Sequence, residues 1–243
     1  MGIKNWAKNI GKKTLYFPGQ FTRNFLNKEF ENYQEIFKKL KINFITLEEN
    51  FSCGHEILSA GYKNEARKLA NKNFEILKKN SIKKIITNSP SSYYMFKNIY
   101  PEFVREWDIE VEHSTISILN GLKKIKIKPR EKEIVTYHDS CKLGRYSEIY
   151  EEPREAIKIL GGEILEMKLN RENSLCCCGG AGMQENFKEL SKKMAQKKIS
   201  TIPPEVSKII SSCELSHSNL KSVTEKSTEF STFVLGKLRG LKI

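Results

Sequence analysis

A cysteine run decides the fold: Cys176-Cys177-Cys178-Gly179-Gly180-Ala181-Gly182. A shorter form of it stands upstream as Phe51-Ser52-Cys53-Gly54, which we align with the first four residues of the run. Glycine next to cysteine lets the backbone pass close to a neighbouring group. Internal self-similarity of this kind predicts a duplicated architecture.

Two further anchor pairs extend the similarity along the chain. Residues 15–20 align with residues 136–141, and residues 85–92 align with residues 209–216. The gaps between successive anchors are 31 and 35 residues in the first half and 35 and 34 residues in the second. Three anchors in the same order at near-equal spacing predict two halves with the same fold.

Each half is predicted to alternate strands with helices, which is typical of parallel sheets. The predicted strands are 13–17, 43–47, 84–87, 134–138, 163–167 and 208–211, and the predicted helices are 24–40, 65–79, 93–100, 153–160 and 185–198. The fold class is therefore α/β, with two pseudo-symmetric lobes that contain parallel sheets. We expect the lobes to span residues 14–128 and 134–220.

The anchors of each half follow predicted strands, and ligands bind at the carboxyl ends of strands in open α/β sheets. Cys141, the run Cys176-Cys177-Cys178 and Cys213 should therefore meet at one sheet edge. Several thiolates in one place suit a soft metal, either zinc or an iron–sulfur cluster.

Composition narrows the class of protein. The chain has 243 residues, 39% of them hydrophobic, and a formal net charge of +13, so a wholly disordered chain is excluded. No apolar stretch of membrane-spanning length and no secretory leader is evident, which predicts a cytoplasmic protein whose six cysteines serve metal or redox chemistry. The positive charge is spread in lysine pairs without a nucleic-acid-binding motif, so no nucleic-acid partner is expected.

Three short stretches of sequence carry a family resemblance: residues 137–145, Glu152-Pro153-Arg154 and residues 173–179. With the cysteine pattern, they resemble the cysteine-rich CCG-domain family, whose members include subunits of heterodisulfide reductase and of anaerobic glycerol-3-phosphate dehydrogenase. The resemblance runs from about Leu15 to Leu220 and implies tandem CCG domains.

The resemblance implies a cofactor-binding, metal-ligating set of Cys141, Cys177, Cys178 and Cys213 in the second half. It implies one iron–sulfur cluster, with [4Fe-4S] as the expected type and zinc as the alternative. Ser216 occupies the fifth motif position; Cys176, Ser216 and His217 are additional candidate ligands, and His138 lies three residues before Cys141. No catalytic residue is predicted.

The first half departs from the family pattern. Its five motif positions read Gln20, Ser52, Cys53, Ser89 and Ser92, so a single cysteine stands where the pattern has five. Serine binds iron and zinc far less readily than cysteine. We expect a degenerate lobe that keeps the fold without a cluster.

Both ends are basic and amphipathic, namely residues 1–13 and 230–243. Such segments suit a membrane-interface or partner helix, or they dock on the core. The first hypothesis is an electron-transfer subunit of a larger oxidoreductase, partnered by a flavoprotein or iron–sulfur subunit, in the cytoplasm or at the inner face of the cell membrane.

Two alternatives to electron transfer stay open. One is a zinc-bound or metal-free structural or membrane-anchoring subunit of such a dehydrogenase. The other is an independent thiol–disulfide enzyme that uses Cys177 and Cys178, although adjacent cysteines form a strained bridge. The sequence favours a subunit of an oxidoreductase complex over an independent catalyst.

Overall fold

A computed structural model describes residues 13–48, 51–128 and 132–239. Seven strands lie in this part of the chain. They are β1 (Lys13–Phe17), β2 (Ile82–Thr87), β3 (Glu110–His113), β4 (Glu133–His138), β5 (Gly162–Ile164), β6 (Lys208–Ser211) and β7 (Ser227–Glu229).

Twelve α-helices lie in the same part of the chain. They are α1 (Gln20–Phe25), α2 (Asn27–Lys39), α3 (His55–Ser59), α4 (Lys63–Lys79), α5 (Pro90–Tyr94), α6 (Tyr100–Phe103), α7 (Ser114–Leu122), α8 (Glu151–Ile159), α9 (Met183–Asn186), α10 (Lys188–Ile199), α11 (Glu214–Lys221) and α12 (Phe230–Arg239). A π-helix (Met95–Ile99) joins α5 to α6, and a 3-10 turn (Arg171–Asn173) precedes the cysteine run.

The strands form two parallel sheets, as the alternating pattern predicts. The first sheet has the order β1-β2-β3 and the second has the order β5-β4-β6-β7. The central pair β4-β6 corresponds to β1-β2, and all pairings in both sheets are parallel. The predicted α/β fold class, with two lobes that contain parallel sheets, is confirmed.

One apolar core is shared between the lobes. Helix α2 packs against α12, and α7 packs against α8. The buried Tyr33 of the first lobe donates a hydrogen bond to Glu229 of the second, with 2.7 Å between the two oxygens. Phe37 and Phe230 are completely buried in the same cluster. The two sheets are thus held together by side chains that neither lobe buries alone.

Several predicted elements differ from the observed ones. The predicted strand 43–47 is reduced to a single bridge between Leu15 and Ile45. Strand β3 and helix α7 were not predicted. Strand β3 has four residues, two of them glutamates, so it gives little apolar signal. The helix predicted over 93–100 is followed directly by α6, which includes Pro101, because proline is tolerated in a first helical turn.

The basic segment 230–243 forms α12 over most of its length. Its apolar side chains Phe230, Phe233, Val234 and Leu238 are buried in the shared core, so this side of the helix does not face a membrane or a partner. Lys237 pairs with Glu133 at 2.9 Å and Arg239 pairs with Glu35 at 2.7 Å.

The other basic end, residues 1–13, lies outside the described residues except for Lys13. The last four residues, 240–243, lie outside them as well. Among the described helices, none combines the length and the apolar character needed to cross a bilayer.

Candidate cysteine site

Two cysteines of the second lobe follow neighbouring strands. Cys141 lies in the turn after β4, and Cys213 follows β6 and precedes α11. Strands β4 and β6 pair in parallel, with His138 opposite Ser211, so both cysteines leave the sheet at the same edge. This agrees with the expected juxtaposition of Cys141 and Cys213.

The cysteine run forms a loop that α10 and α11 hold in place. The Cys177 carbonyl accepts a hydrogen bond from Asn219 Nδ2 at 2.6 Å, and the Cys178 carbonyl accepts one from Ser191 Oγ at 2.7 Å. A Cβ atom on Gly179 would lie 2.4 Å from the Leu215 carbonyl oxygen. Glycine is therefore required where the loop passes the start of α11.

Each cysteine of the run has a different environment. Cys176 is exposed, Cys177 is buried, and Cys178 has a left-handed backbone with φ of 56°. The Cys177 thiol donates a hydrogen bond to Ser216 Oγ at 3.2 Å. The Cys178 N–H donates to Cys176 Sγ at 3.3 Å.

All five thiols in this lobe influence the ionisation of one another. Hydrogen bonding with Cys141 lowers the pKa of Cys176 to about 5, and the Cys178 N–H acts in the same direction. The same contact raises the pKa of Cys141, as does burial. Burial raises the pKa of Cys213, and the neighbouring Glu214 adds to this effect.

The first lobe repeats this geometry with serines. Ser92 Oγ donates to Cys53 Sγ at 3.4 Å, and the two residues are 39 positions apart, the same separation as that of Cys177 and Ser216. The Gly54 N–H donates to Ser52 Oγ at 3.0 Å, and Gly54 has a left-handed backbone with φ of 84°.

The structural correspondence between the two halves is therefore shifted by one residue from their sequence alignment. Cys53 corresponds to Cys177, Ser52 to Cys176 and Gly54 to Cys178. Sequence alignment matched Gly54 with a glycine, whereas in the second lobe the cysteine Cys178 takes up the left-handed conformation. Backbone conformation, which residue identity does not reveal, accounts for the shift.

The two candidate histidines, His217 and His138, have different surroundings. His217 Nδ1 lies 3.0 Å from Ser227 Oγ of β7, and burial lowers the pKa of this ring to about 4. His138 is buried, and neither ring nitrogen has a hydrogen-bond partner among the described residues. Within residues 13–48, 51–128 and 132–239, no group of three or more His, Cys, Asp or Glu side chains is arranged to hold one metal ion.

Two cations hold the segment that leads into the cysteine run. Lys198, in the last turn of α10, donates to Ser174 Oγ and to the Leu175 carbonyl, both at 3.0 Å. Arg145 donates to the Ser174 carbonyl at 2.7 Å. Sequence reasoning missed Lys198, because it is one of many lysines in a basic helix.

A buried ion pair supports the turn that carries Cys141. Arg154 and Asp139 are almost completely buried, and the two terminal guanidinium nitrogens donate to the carboxylate, at 2.6 and 2.8 Å. Glu166 accepts further hydrogen bonds from Arg154, and Asp139 accepts one from the Arg171 N–H at 2.8 Å. Asp139 and Arg154 both lie in the stretches of sequence that carry the family resemblance, but their positions in the sequence do not reveal that they pair.

Comparison with known proteins identifies the family. Residues 14–97 and 135–221 each match the CCG cysteine-rich domain, and together they make up most of the chain. The chain belongs to the CCG cysteine-rich domain family, as the resemblance in the sequence predicts.

Three relatives have names that describe oxidoreductases or their parts. The chain is 36% identical over 167 residues to the probable iron-sulfur-binding oxidoreductase FadF of Bacillus subtilis, a match that covers 63% of this chain and 23% of FadF. It is 34% identical over 136 residues to the EtfAB:quinone oxidoreductase of Syntrophomonas wolfei, covering 55% and 19%. It is 31% identical over 187 residues to one subunit of the dihydromethanophenazine:CoB–CoM heterodisulfide reductase of Methanosarcina mazei, covering 73% and 46%. The matched region is thus less than half of each relative.

Proposed function

We propose that this chain is an electron-transfer subunit of a larger oxidoreductase and that its second lobe holds one iron–sulfur cluster. The observation that carries the proposal is the set of thiols at the carboxyl edge of β4 and β6. The relatives support it, because their names describe an iron-sulfur-binding oxidoreductase, a quinone oxidoreductase and a heterodisulfide reductase subunit.

The proposed ligands are Cys141, Cys176, Cys177 and Cys213. This set differs from the one proposed on sequence in that Cys176 replaces Cys178. The correspondence with the first lobe supports the change, since Cys178 occupies the position of Gly54.

The donor set suits a cluster better than a single zinc ion. Zinc requires four ligands that converge at about 2.0–2.3 Å from one ion. In a cluster, cysteines bind different iron atoms and need not converge on one point. Four cysteines around one sheet edge could therefore bind a cluster without converging on a single ion. Four thiolates match the ligand number of a [4Fe-4S] cluster, which is the type we propose.

A bound cluster would supply one-electron transfer, and the residues of the chain would fix its position. The carbonyl contacts of Asn219 and Ser191 hold the cysteine loop, and the Asp139–Arg154 pair holds the turn at Cys141. Cys176 is the exposed thiol of the set, so it marks the side from which a partner would exchange electrons. We propose a flavoprotein or iron–sulfur subunit as that partner.

The alternative is a zinc-bound or metal-free structural subunit of the same kind of complex. The first lobe favours this alternative, because Cys53 is its only motif cysteine and accepts a hydrogen bond from Ser92. A scaffold role would leave the thiols of the second lobe without cofactor chemistry.

Iron and acid-labile sulfide in anaerobically purified full-length protein, with visible and EPR spectra, test the proposal. We expect iron and sulfide in equal amounts and an EPR signal typical of a reduced [4Fe-4S] cluster. Zinc, or no metal, would overturn electron transfer through this chain and support the structural alternative.

Two matched variants test the ligand set. Cys176→Ser is expected to lose most of the iron, whereas Cys178→Ser is expected to keep it, because the side chain of Cys178 is not among the proposed ligands. The opposite result would restore the set proposed on sequence, with Cys178 as the ligand.

A further inference from the structure

The turn that carries Cys141 packs into the apolar core of the other lobe. Leu143 and Ile149 of this turn are buried, with 1% and 5% of their surface exposed. Among the described residues, every other buried member of their apolar cluster comes from the first lobe, including Tyr93 and Phe96. The turn therefore belongs to the second lobe by its place in the chain and to the first lobe by its packing.

A lysine and two tyrosines add a second kind of contact between this turn and the first lobe. The Lys142 ammonium lies 4.5 Å from the ring centre of Tyr94, in α5, and 4.2 Å from the ring centre of Tyr146. The two rings are 5.7 Å apart and nearly perpendicular. A cation at this distance is attracted to the negative face of an aromatic ring. The ammonium thus joins a ring of the first lobe to a ring of the turn itself.

Backbone hydrogen bonds connect the position of Lys142 to that of Cys141, the residue before it. The Gly144 N–H donates to the Ser140 carbonyl at 2.8 Å, and the Tyr146 N–H donates to the Cys141 carbonyl at 3.2 Å. Because the turn closes on itself in this way, a contact that holds Lys142 also holds the backbone of Cys141.

The same turn reaches the segment that leads into the cysteine run. Arg145 donates to the Ser174 carbonyl at 2.7 Å and to the Glu172 carbonyl at 3.3 Å. Cys176 follows Ser174 by two residues. The turn therefore lies between the first lobe, which it contacts through Lys142, and the loop that carries Cys176.

We propose that Lys142 is a positioning residue, which fixes the Cys141 turn on the first lobe through its contact with Tyr94. The first lobe has one motif cysteine of its own, and through this contact it determines where Cys141 stands relative to the cysteine run. The placement of the turn is independent of any cofactor. Under the function proposed above, the contact also helps to retain the cluster, because groups that orient a ligand raise its affinity for the metal.

Two substitutions test this role, because each removes one side of the contact and keeps apolar volume. They are Lys142→Met and Tyr94→Leu. Lys142→Arg keeps the cation and Tyr94→Phe keeps the ring, so both should retain wild-type behaviour. Lys78→Met is the control, since Lys78 Nζ lies 5.9 Å from the ring centre of Phe74 and makes a contact of the same kind within the first lobe.

The first readout is amide hydrogen exchange over residues 140–150 in metal-free full-length protein. We expect exchange there to become about five times faster in Lys142→Met and in Tyr94→Leu. The double variant should exchange no faster than Lys142→Met, since both changes break one contact. Exchange over β2 should stay unchanged, because a local opening does not require global unfolding. Lys78→Met should leave the turn unchanged.

The second readout is the rate at which the iron-loaded protein releases iron to a chelator. We expect release to be about tenfold faster in Lys142→Met, the lower end of the effect of removing a group that orients a metal ligand. Lys142→Arg and Lys78→Met should release iron at the wild-type rate. If Tyr94→Leu does not fold by circular dichroism, the comparison of Lys142→Met with Lys142→Arg decides alone.

Wild-type exchange of the turn in Lys142→Met and Tyr94→Leu would overturn the inference. An equal rise in exchange over β2 would overturn it as well, because it would indicate a general loss of stability. Faster exchange of the turn with unchanged iron release would overturn the link to the cysteine site. A wild-type chain that binds no iron would overturn the proposed function instead, and hydrogen exchange would still decide whether Lys142 holds the turn.

Discussion

The Cys177 thiol lies 3.2 Å from the hydroxyl of Ser216, and the Cys53 thiol lies 3.4 Å from the hydroxyl of Ser92 in the other lobe. The same contact thus occurs twice, and in each lobe a hydroxyl group stands where the family motif has its last cysteine. Because the contact between cysteine and serine is already present, replacing the serine with cysteine would add a thiol without changing the fold.

Ser216→Cys should strengthen metal binding in the second lobe. The added thiol would lie beside Cys177 and within one helical turn of Cys213, which gives the site five cysteines. We expect iron to be released several-fold more slowly to a chelator than from the wild-type protein. Ser92→Cys is the control, because it adds a thiol beside Cys53 alone and should leave iron content and release unchanged. A slower release in the control would contradict this reasoning.

Breaking the Asp139–Arg154 pair should destabilise the chain strongly. Asp139→Asn leaves a buried guanidinium with only the half-buried Glu166 as its counter-charge, and breaking a buried pair costs about 3 kcal/mol. Urea denaturation measures the change. Glu155→Gln breaks the exposed pair with Lys123 and should cost less than about 1 kcal/mol. Similar costs in the two variants would show that the buried pair contributes no more than a surface one.

Gly179 should not tolerate a side chain, whereas Gly180 should. A Cβ on Gly179 would meet the Leu215 carbonyl at 2.4 Å, but a Cβ on Gly180 meets only the Leu215 side chain at 3.4 Å. Overpacking of this kind costs about 1–3 kcal/mol. We therefore expect Gly179→Ala to lower the urea midpoint and the iron content, with Gly180→Ala close to wild type. Equal midpoints would argue against close packing of the loop on α11.

Glu229 should make the shared core less stable as the pH rises. Burial raises the pKa of this carboxyl from 4.5 to about 7, so the folded state binds its proton more tightly than the unfolded state does. Its contribution to stability is full below about pH 4.5 and declines up to about pH 7, by about 3 kcal/mol in total. The difference in unfolding free energy between wild type and Glu229→Gln, measured at intervals from pH 4.5 to 8, should show this decline. A constant difference would contradict it.

The sequence predicted the parts of the fold that leave a local signal. The apolar runs of β1, β4 and β6 and the repeated anchors were enough for the α/β class and the sheet edge at Cys141 and Cys213. Short elements were missed when their outward side chains are charged. Glu110 and Glu112 of β3 bind Lys84 of the neighbouring strand, a long-range pairing that a local pattern does not contain.

The site was predicted in outline but not in detail. Cysteine spacing placed the thiols at one sheet edge, whereas our proposal of Cys176 in place of Cys178 as a ligand depends on a left-handed backbone at a residue that is not glycine. Lys198 and Arg154 are ordinary charges in the sequence, and only burial gives them a particular role. The docking of α12 shows the same limit, because its exposed ion pair between Arg239 and Glu35 joins residues 204 positions apart.

The shared core has a consequence for any attempt to isolate the cysteine-bearing half. Cutting the chain between residues 128 and 132 would separate α2 from α12 and α7 from α8, so each fragment would carry an uncovered apolar face and an unpartnered Tyr33 or Glu229. The fragments should be poorly soluble apart and should reassociate when mixed. The serine-bearing half would then be needed to cover apolar surface on the half that carries the thiols.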